Sequence, residues 1–335
     1  MDIFCSEGDS NLNTMVPTAG HMIGDSNRTC NPALYSESVV IWASAVQCFI
    51  AVPTFVGNFL VMYSVAKIRR LRTVTNYFVF SLAAADFLVA LNVPFYDTFY
   101  FVGQLACDKT LCLLRYWFAN FTQVCSALSL VGVSADRYVA IVHGISYNRI
   151  VTFKLASRYI TFVWVFVFLY SILPFVGVGD DHDYPYDSNP VVCDLFYVYS
   201  TAYILTTSGM VLVMAAINLV LYVLIFHAAW KQLRLVTSGE DASLRLRQEA
   251  RTACTMAMVL AVCVLGYVPY FVLVALCFVT DDRTLLTLHV KPSVICLYFG
   301  KSALNPVIYG WRAKDFRSAF RQVMLKRDVN HLGAK

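Results

Sequence analysis

The chain has 335 residues, of which 59% are hydrophobic and 14% charged, with a formal net charge of +5. A soluble globular domain carries about 25% charged residues, so this balance excludes a water-soluble domain and points to a membrane protein. The small positive excess suits loops that face anionic lipid, and it gives no reason to expect nucleic-acid binding.

Hydrophobic runs long enough to cross a bilayer recur at 39–66, 75–102, 109–143, 153–178, 197–230, 249–280 and 286–310. They predict an all-α membrane protein, a seven-transmembrane helix bundle with an interfacial helix 8. Residues 1–38 read as an extracellular N-terminal tail, 39–311 as the bundle, and 312–335 as the amphipathic helix 8 and a short cytoplasmic tail. The stretch from Met1 to Ser36 is polar and lacks the apolar region of a signal peptide. If the N-terminus lies outside, the inner segments collect most of the basic residues, among them Lys67, Arg69, Arg70, Arg72, Arg245, Arg247, Arg312 and Lys314. The positive-inside rule favours that orientation. It makes Asn27, in Asn27-Arg28-Thr29, an outward-facing glycosylation acceptor.

The first span ends in Gly57-Asn58, and the second buries the ionisable Asp86 in hydrocarbon. Such a carboxylate costs about 2.5–3.5 kcal/mol on insertion scales, which marks it as a functional candidate. The third span runs from Cys112 through Arg115 and Ser126 to Asp136-Arg137-Tyr138. As a helix it rises about 37 Å between Cys112 and Arg137, enough to link the two membrane surfaces. The fourth carries Trp164, the fifth Tyr222, and the sixth Pro269, where a kink is expected. The seventh holds Lys301 and Asn305-Pro306-Val307-Ile308-Tyr309. From Trp311 to Leu325 an amphipathic pattern, with Phe316 and Phe320 on one face, predicts a helix lying on the inner leaflet.

The cysteines divide by compartment. Cys48, Cys125, Cys254, Cys263 and Cys296 fall within spans and read as small buried hydrophobes. Cys5, Cys30, Cys107, Cys112 and Cys193 would face the oxidising side. A Cys112–Cys193 bridge would pin the second outer loop across the bundle mouth, while Cys5, Cys30 and Cys107 leave a second bridge open.

Asn58, Leu82 to Asp86, Cys112, Asp136-Arg137-Tyr138, Trp164, Pro269 and Asn305-Pro306-Val307-Ile308-Tyr309 follow one another, one group per span. In this the chain resembles a rhodopsin-like, class A G-protein-coupled receptor over roughly residues 40–325. A weaker likeness to melanocortin, lysophospholipid, cannabinoid and adenosine receptors assigns no subfamily. The resemblance implies a plasma-membrane receptor that is not an enzyme and needs no cofactor or metal. Its partners would be a heterotrimeric G protein, membrane lipid, and an extracellular small-molecule, lipid or peptide ligand. An opsin-like photoreceptor and a membrane transporter are the alternatives. The retinal lysine of opsins stands six residues before the asparagine, whereas Lys301 stands four before Asn305, and a transporter's internal repeats are missing.

The resemblance also assigns roles. Asp136, Arg137 and Tyr138 would form a cytosolic switch in which Arg137 pairs with Asp136 and Glu249, joined by Tyr222, Asn305, Pro306 and Tyr309. Asn58, Asp86, Ser126 and Lys301 would form a central polar site. There the family surrounds a sodium ion, but Lys301 occupies the place of a usual asparagine, so an Asp86–Lys301 ion pair is expected instead. The family's packed transmission core is represented by Met214, Ala127, Cys263 and Tyr267, smaller or more flexible groups that suggest raised basal activity.

For the ligand, Arg115, Tyr116, Phe118, Ala119, Phe196, Tyr267, Tyr270, Phe271, Tyr298 and Phe299 are the expected pocket. Ala119 stands where amine receptors carry aspartate, and Val274 and Phe299 where adenosine receptors carry asparagine and histidine. Both ligand classes are thereby disfavoured. Arg115 matches a phosphate-binding arginine of lysophospholipid receptors. Asp180, Asp181, Asp183, Asp187, Asp194, Asp281 and Asp282 make an acidic rim that would attract cations. An anionic lipid at Arg115 and a basic peptide at the rim both stay open.

Overall fold

The computed structural model describes residues 37–177, 193–235, 240–280 and 290–325. Asn27, Cys5, Cys30 and every acidic-rim residue but Asp194 lie outside them. Among the described residues eight helices of eleven residues or more follow in order: α1 Glu37–Lys67, α2 Val74–Phe101, α3 Lys109–Val142, α4 Phe153–Ile172, α5 Thr201–Leu235, α6 Glu240–Val279, α7 Lys291–Arg312 and α8 Lys314–Met324. Their starts are set locally. The side chains of Thr73, Asp108 and Thr152 accept from the backbone N–H of Asn76, Leu111 and Leu155 at 3.2, 3.0 and 3.3 Å, satisfying donors that a helix start leaves open. α5 begins later than the apolar run suggests, because Leu195–Val198 forms a separate turn capped by Asp194. α6 begins earlier, at Glu240.

Among the described residues, six helices are long and apolar enough to cross a membrane. Their outward faces expose large hydrophobic side chains such as Phe49, Phe226 and Leu265, the reverse of a soluble protein. α7 falls short of that measure because its inward face carries Lys301, Ser302 and Asn305. Its 22 residues still reach about 33 Å, and it packs between α1 and α6.

Polar groups in the bundle find partners across helices, as a hydrocarbon surround demands. Trp164 Nε1 donates to Ser81 Oγ at 3.0 Å, and Ser81 shares a 2.9 Å hydrogen bond with Ser129, tying α4, α2 and α3. Asn58 Nδ2 donates to the Ser302 carbonyl at 3.1 Å, tying α1 to α7. At Gly132 a Cβ would sit 2.8 Å from ring carbons of Phe78 and Tyr159, so only glycine lets α2 and α4 close on α3 here. α8 buries Phe316, Ala319 and Phe320 and leaves its basic face exposed, as the amphipathic pattern predicts. Phe316 stacks on Tyr309 with ring centroids 5.5 Å apart, and Asp315 pairs with Arg70 at 3.3 Å.

Candidate functional site

Three sites are strung along the bundle. At one end Cys112, in the first turn of α3, is disulfide-bonded to Cys193 in the segment before α5. Cys107 is also disulfide-bonded. Beside the first bridge, Asp194 accepts from the Phe196 N–H at 3.2 Å and pairs with Lys291 of α7. Burial pushes the Asp194 carboxyl up, but Lys291 and the Phe196 N–H outweigh it and hold the group below its ordinary value. The resulting strap lies beside a cavity whose empty space, open solvent included, is about 660 Å³.

Six of the ten expected pocket residues line this cavity: Tyr116, Ala119, Tyr270, Phe271, Tyr298 and Phe299. Phe196 lines a second hollow of about 340 Å³ beside Lys291. Tyr267 lies a layer deeper, donating to the Gln123 carbonyl at 2.9 Å, and Phe118 stacks on Trp117 outside the lining. Arg115 corrects the expectation of a ligand-binding cation. It is 1% exposed, with its guanidinium carbon 3.9 Å from the Tyr96 ring centroid and 4.6 Å from that of Tyr100, and Nη1 3.8 Å from Cys193 Sγ. A guanidinium is weakly hydrated and stacks on aromatic faces, so it is held between α2 and the disulfide and does not line the cavity.

At mid-depth Asp86 is fully buried and accepts from Ser126 Oγ at 3.0 Å, Ser302 Oγ at 2.7 Å and Asn305 Nδ2 at 2.6 Å. The expected Asp86–Lys301 ion pair is not formed. Lys301 is 3% exposed, its ammonium has no hydrogen-bond acceptor among the described residues, and it sits 4.5 Å from the Tyr267 ring centroid. The reason is competition: three donors fill the carboxylate, and the α6 ring offers the ammonium its negative face. Gly266 makes the slot, because a Cβ there would lie 3.0 Å from Cβ and Cδ of Lys301. Lys301 still acts on Asp86 through space.

At the other end Arg137 donates to Asp136 Oδ2 from Nε at 3.0 Å and Nη2 at 2.7 Å. Asp136 also accepts from Thr75 Oγ1 at 2.7 Å and from the Tyr147 hydroxyl at 2.6 Å. Burial, with the carboxylate beside it, pushes the Tyr147 phenol up to about 12. Nearby Ser134 Oγ donates to Asn218 Oδ1 at 2.6 Å. The hydroxyls of Tyr222 and Tyr309 are buried with no hydrogen-bond partner among the described residues. The Glu249 side chain lies outside the described residues.

Residues 57–309 match the family described as 7 transmembrane receptor (rhodopsin family). The chain belongs to this receptor family. Similar proteins include Adenosine receptor A2a of Homo sapiens, 31% identical over 294 residues, covering 83% of this chain and 71% of that protein. Octopamine receptor beta-1R of Drosophila melanogaster is 29% identical over 307 residues, covering 82% and 60%. Adenosine receptor A2b of Gallus gallus is 29% identical over 302 residues, covering 84% and 87%. The protein is thus a G-protein-coupled receptor, a multi-pass protein of the plasma membrane, from a receptor and not an enzyme family.

The sequence reading passed over the receptor's α5 wall. Tyr203, Thr207, Ser208 and Val211 line the cavity from that helix, at spacings of one face. The signal was present in that spacing but hidden, because α5 is apolar on its lipid side as well. Asn120, in the third span, donates to the Tyr203 hydroxyl at 3.0 Å and also lines the cavity.

Proposed function

We propose that the disulfide end of the receptor faces the cell exterior, with the N-terminus on that side, and that ligand enters the cavity under the Cys193–Asp194 strap. The Asp136–Arg137 cluster at the opposite end then serves as the switch for the G protein. The observation that carries this reading is the bundle's polarity. A roomy, aromatic-lined cavity opens at one end, a buried arginine–carboxylate cluster closes the other, and the polar site at Asp86 lies between them. Rearranging the whole cluster, with Arg137 leaving Asp136 and Thr75 and Asp136 giving up the Thr75 and Tyr147 hydroxyls, would release α3 from α2 and from the Tyr147 turn, a two-state element that ligand can bias.

Lys301 is the receptor's own resident cation in this scheme. Its tethered ammonium, between the Tyr267 ring and the field of Asp86, balances the carboxylate without a free ion. Because Tyr267 stands two residues before Pro269, a swing of α6 about that proline would move the ring away from the ammonium and pass it toward Asp86.

The test is nucleotide exchange by purified G proteins on receptor reconstituted in lipid. Exchange that Arg137→Ala abolishes is the expected result. No exchange by the wild-type chain across the G-protein classes, with or without ligand libraries, would overturn the assignment of the switch.

A further inference from the structure

The cavity's chemistry narrows its ligand. Among the described residues its lining holds no carboxylate, lysine, arginine or histidine; Arg115 is enclosed by aromatic rings outside the lining, and Lys291, beside the second hollow, is paired with Asp194. A charged ligand would lose its hydration there and gain no counter-charge, a loss that a buried ion recovers only with a well-placed partner. The walls are instead ring faces: Tyr270 and Tyr298 stack 4.4 Å apart between α6 and α7, with Tyr116 and Phe299 beside them.

Among the described residues, one buried polar group in this lining is unsatisfied. Tyr199, 4% exposed, lines the cavity with its hydroxyl buried and without a hydrogen-bond partner among the described residues. A buried donor left open is costly, and the usual resolution is an acceptor supplied by water or ligand. Its neighbour Tyr203 is engaged by Asn120, which leaves Tyr199 as the buried hydroxyl with no partner on this side of the cavity among the described residues.

From this we infer that the cavity takes an uncharged, flat aromatic ligand whose hydrogen-bond acceptor meets the Tyr199 hydroxyl. The inference rests on the receptor reading above. Tyr199 is then a specificity-determining residue that selects a carbonyl, ether or ring-nitrogen acceptor, while the stacked rings select a planar body.

A matched probe set tests it: fluorenone, fluorene, and fluorene bearing an amine or a carboxylate on its bridge carbon. Saturable binding to the full-length receptor in lipid nanodiscs is measured by equilibrium dialysis, with empty discs subtracted. Fluorenone should bind, and the charged probes at least about tenfold more weakly. Tyr199→Phe should weaken fluorenone about tenfold, the factor for one buried hydrogen bond, and leave fluorene unchanged. Three outcomes overturn the inference: a charged probe binding as tightly as fluorenone, Tyr199→Phe affecting ketone and hydrocarbon alike or neither, and no saturable fluorenone binding. The measurement involves no G protein, so a receptor that exchanges nucleotide through Arg137 and fails here loses only its ligand assignment.

Discussion

Removing the charge of Lys301 is the sharpest test of the receptor's interior. The ammonium makes no hydrogen bond among the described residues and gains from the Tyr267 ring at 4.5 Å, a contact worth about 2 kcal/mol when desolvated. Its attraction to Asp86 acts across a gap wider than an ion pair. At contact, with an effective dielectric of 20, the attraction would be about 4 kcal/mol, so the real coupling lies below that ceiling. Asp86 meanwhile keeps its bonds from Ser126, Ser302 and Asn305. A double-mutant cycle of Asp86→Asn and Lys301→Met should therefore give a favourable coupling of about 1–3 kcal/mol. The assay is the unfolding free energy in mixed detergent, read by far-ultraviolet circular dichroism. Each arm is run once in sodium chloride and once in potassium chloride. The wild type should be indifferent to the cation, because the tethered ammonium already neutralises Asp86. Lys301→Met should become more stable in sodium than in potassium, since the bare carboxylate then has reason to bind the smaller ion. A coupling indistinguishable from zero, or a sodium response in the wild type, would refute the resident-cation argument.

Arg115→Ala should destabilise the folded receptor by about 2 kcal/mol or more, since it empties an aromatic cage, while Arg115→Lys retains part of the cation–π energy; weakened ligand response with unchanged unfolding would instead support a ligand contact. The Asp194–Lys291 pair predicts a pH profile. A carboxyl held below its ordinary value contributes stability above about pH 3.9 and loses it as pH falls through the lower folded-state value, so the gap between wild type and Asp194→Asn should be constant from about pH 7 to 5 and close only in stronger acid. A gap that closes near pH 6 contradicts this. Met214, Ala127 and Cys263 are all buried in the core shared by α3, α5 and α6, where they offer little rigid packing; basal second-messenger output should exceed that of mock-transfected cells and vanish in Arg137→Ala. Output equal to mock counts against a loosened core.

What was legible in the sequence follows from what hydrocarbon forbids. Length and apolarity set the spans, whereas the caps at Thr73, Asp108 and Thr152 emerge only in the structure, where they close backbone donors that are costly to leave open near lipid. The start of α6 was not legible as part of a span, since residues from Glu240 onward are polar and helical without being apolar. Position along a helix axis gives relative height: Cys112 lies in the first turn of α3, Arg137 near its last, and Asp86 meets Ser126 between them. Rotation about the axis is harder. Asp86, Ser126 and Asn305 were expected together and converge, because any other rotation would turn carboxylate and amide toward lipid. Tyr203 and Thr207 carry no such penalty beside an all-apolar α5 surface, and so their face could not be singled out. Arg115 and Lys301 show a third case. Both were rightly expected to be inside, and each has a long flexible stem that lays its charge against aromatic rings; Lys301 does so without pairing with Asp86. A buried cation in this receptor is thus located by its surrounding rings as much as by the nearest carboxylate, and the rings are set by packing between helices distant in sequence.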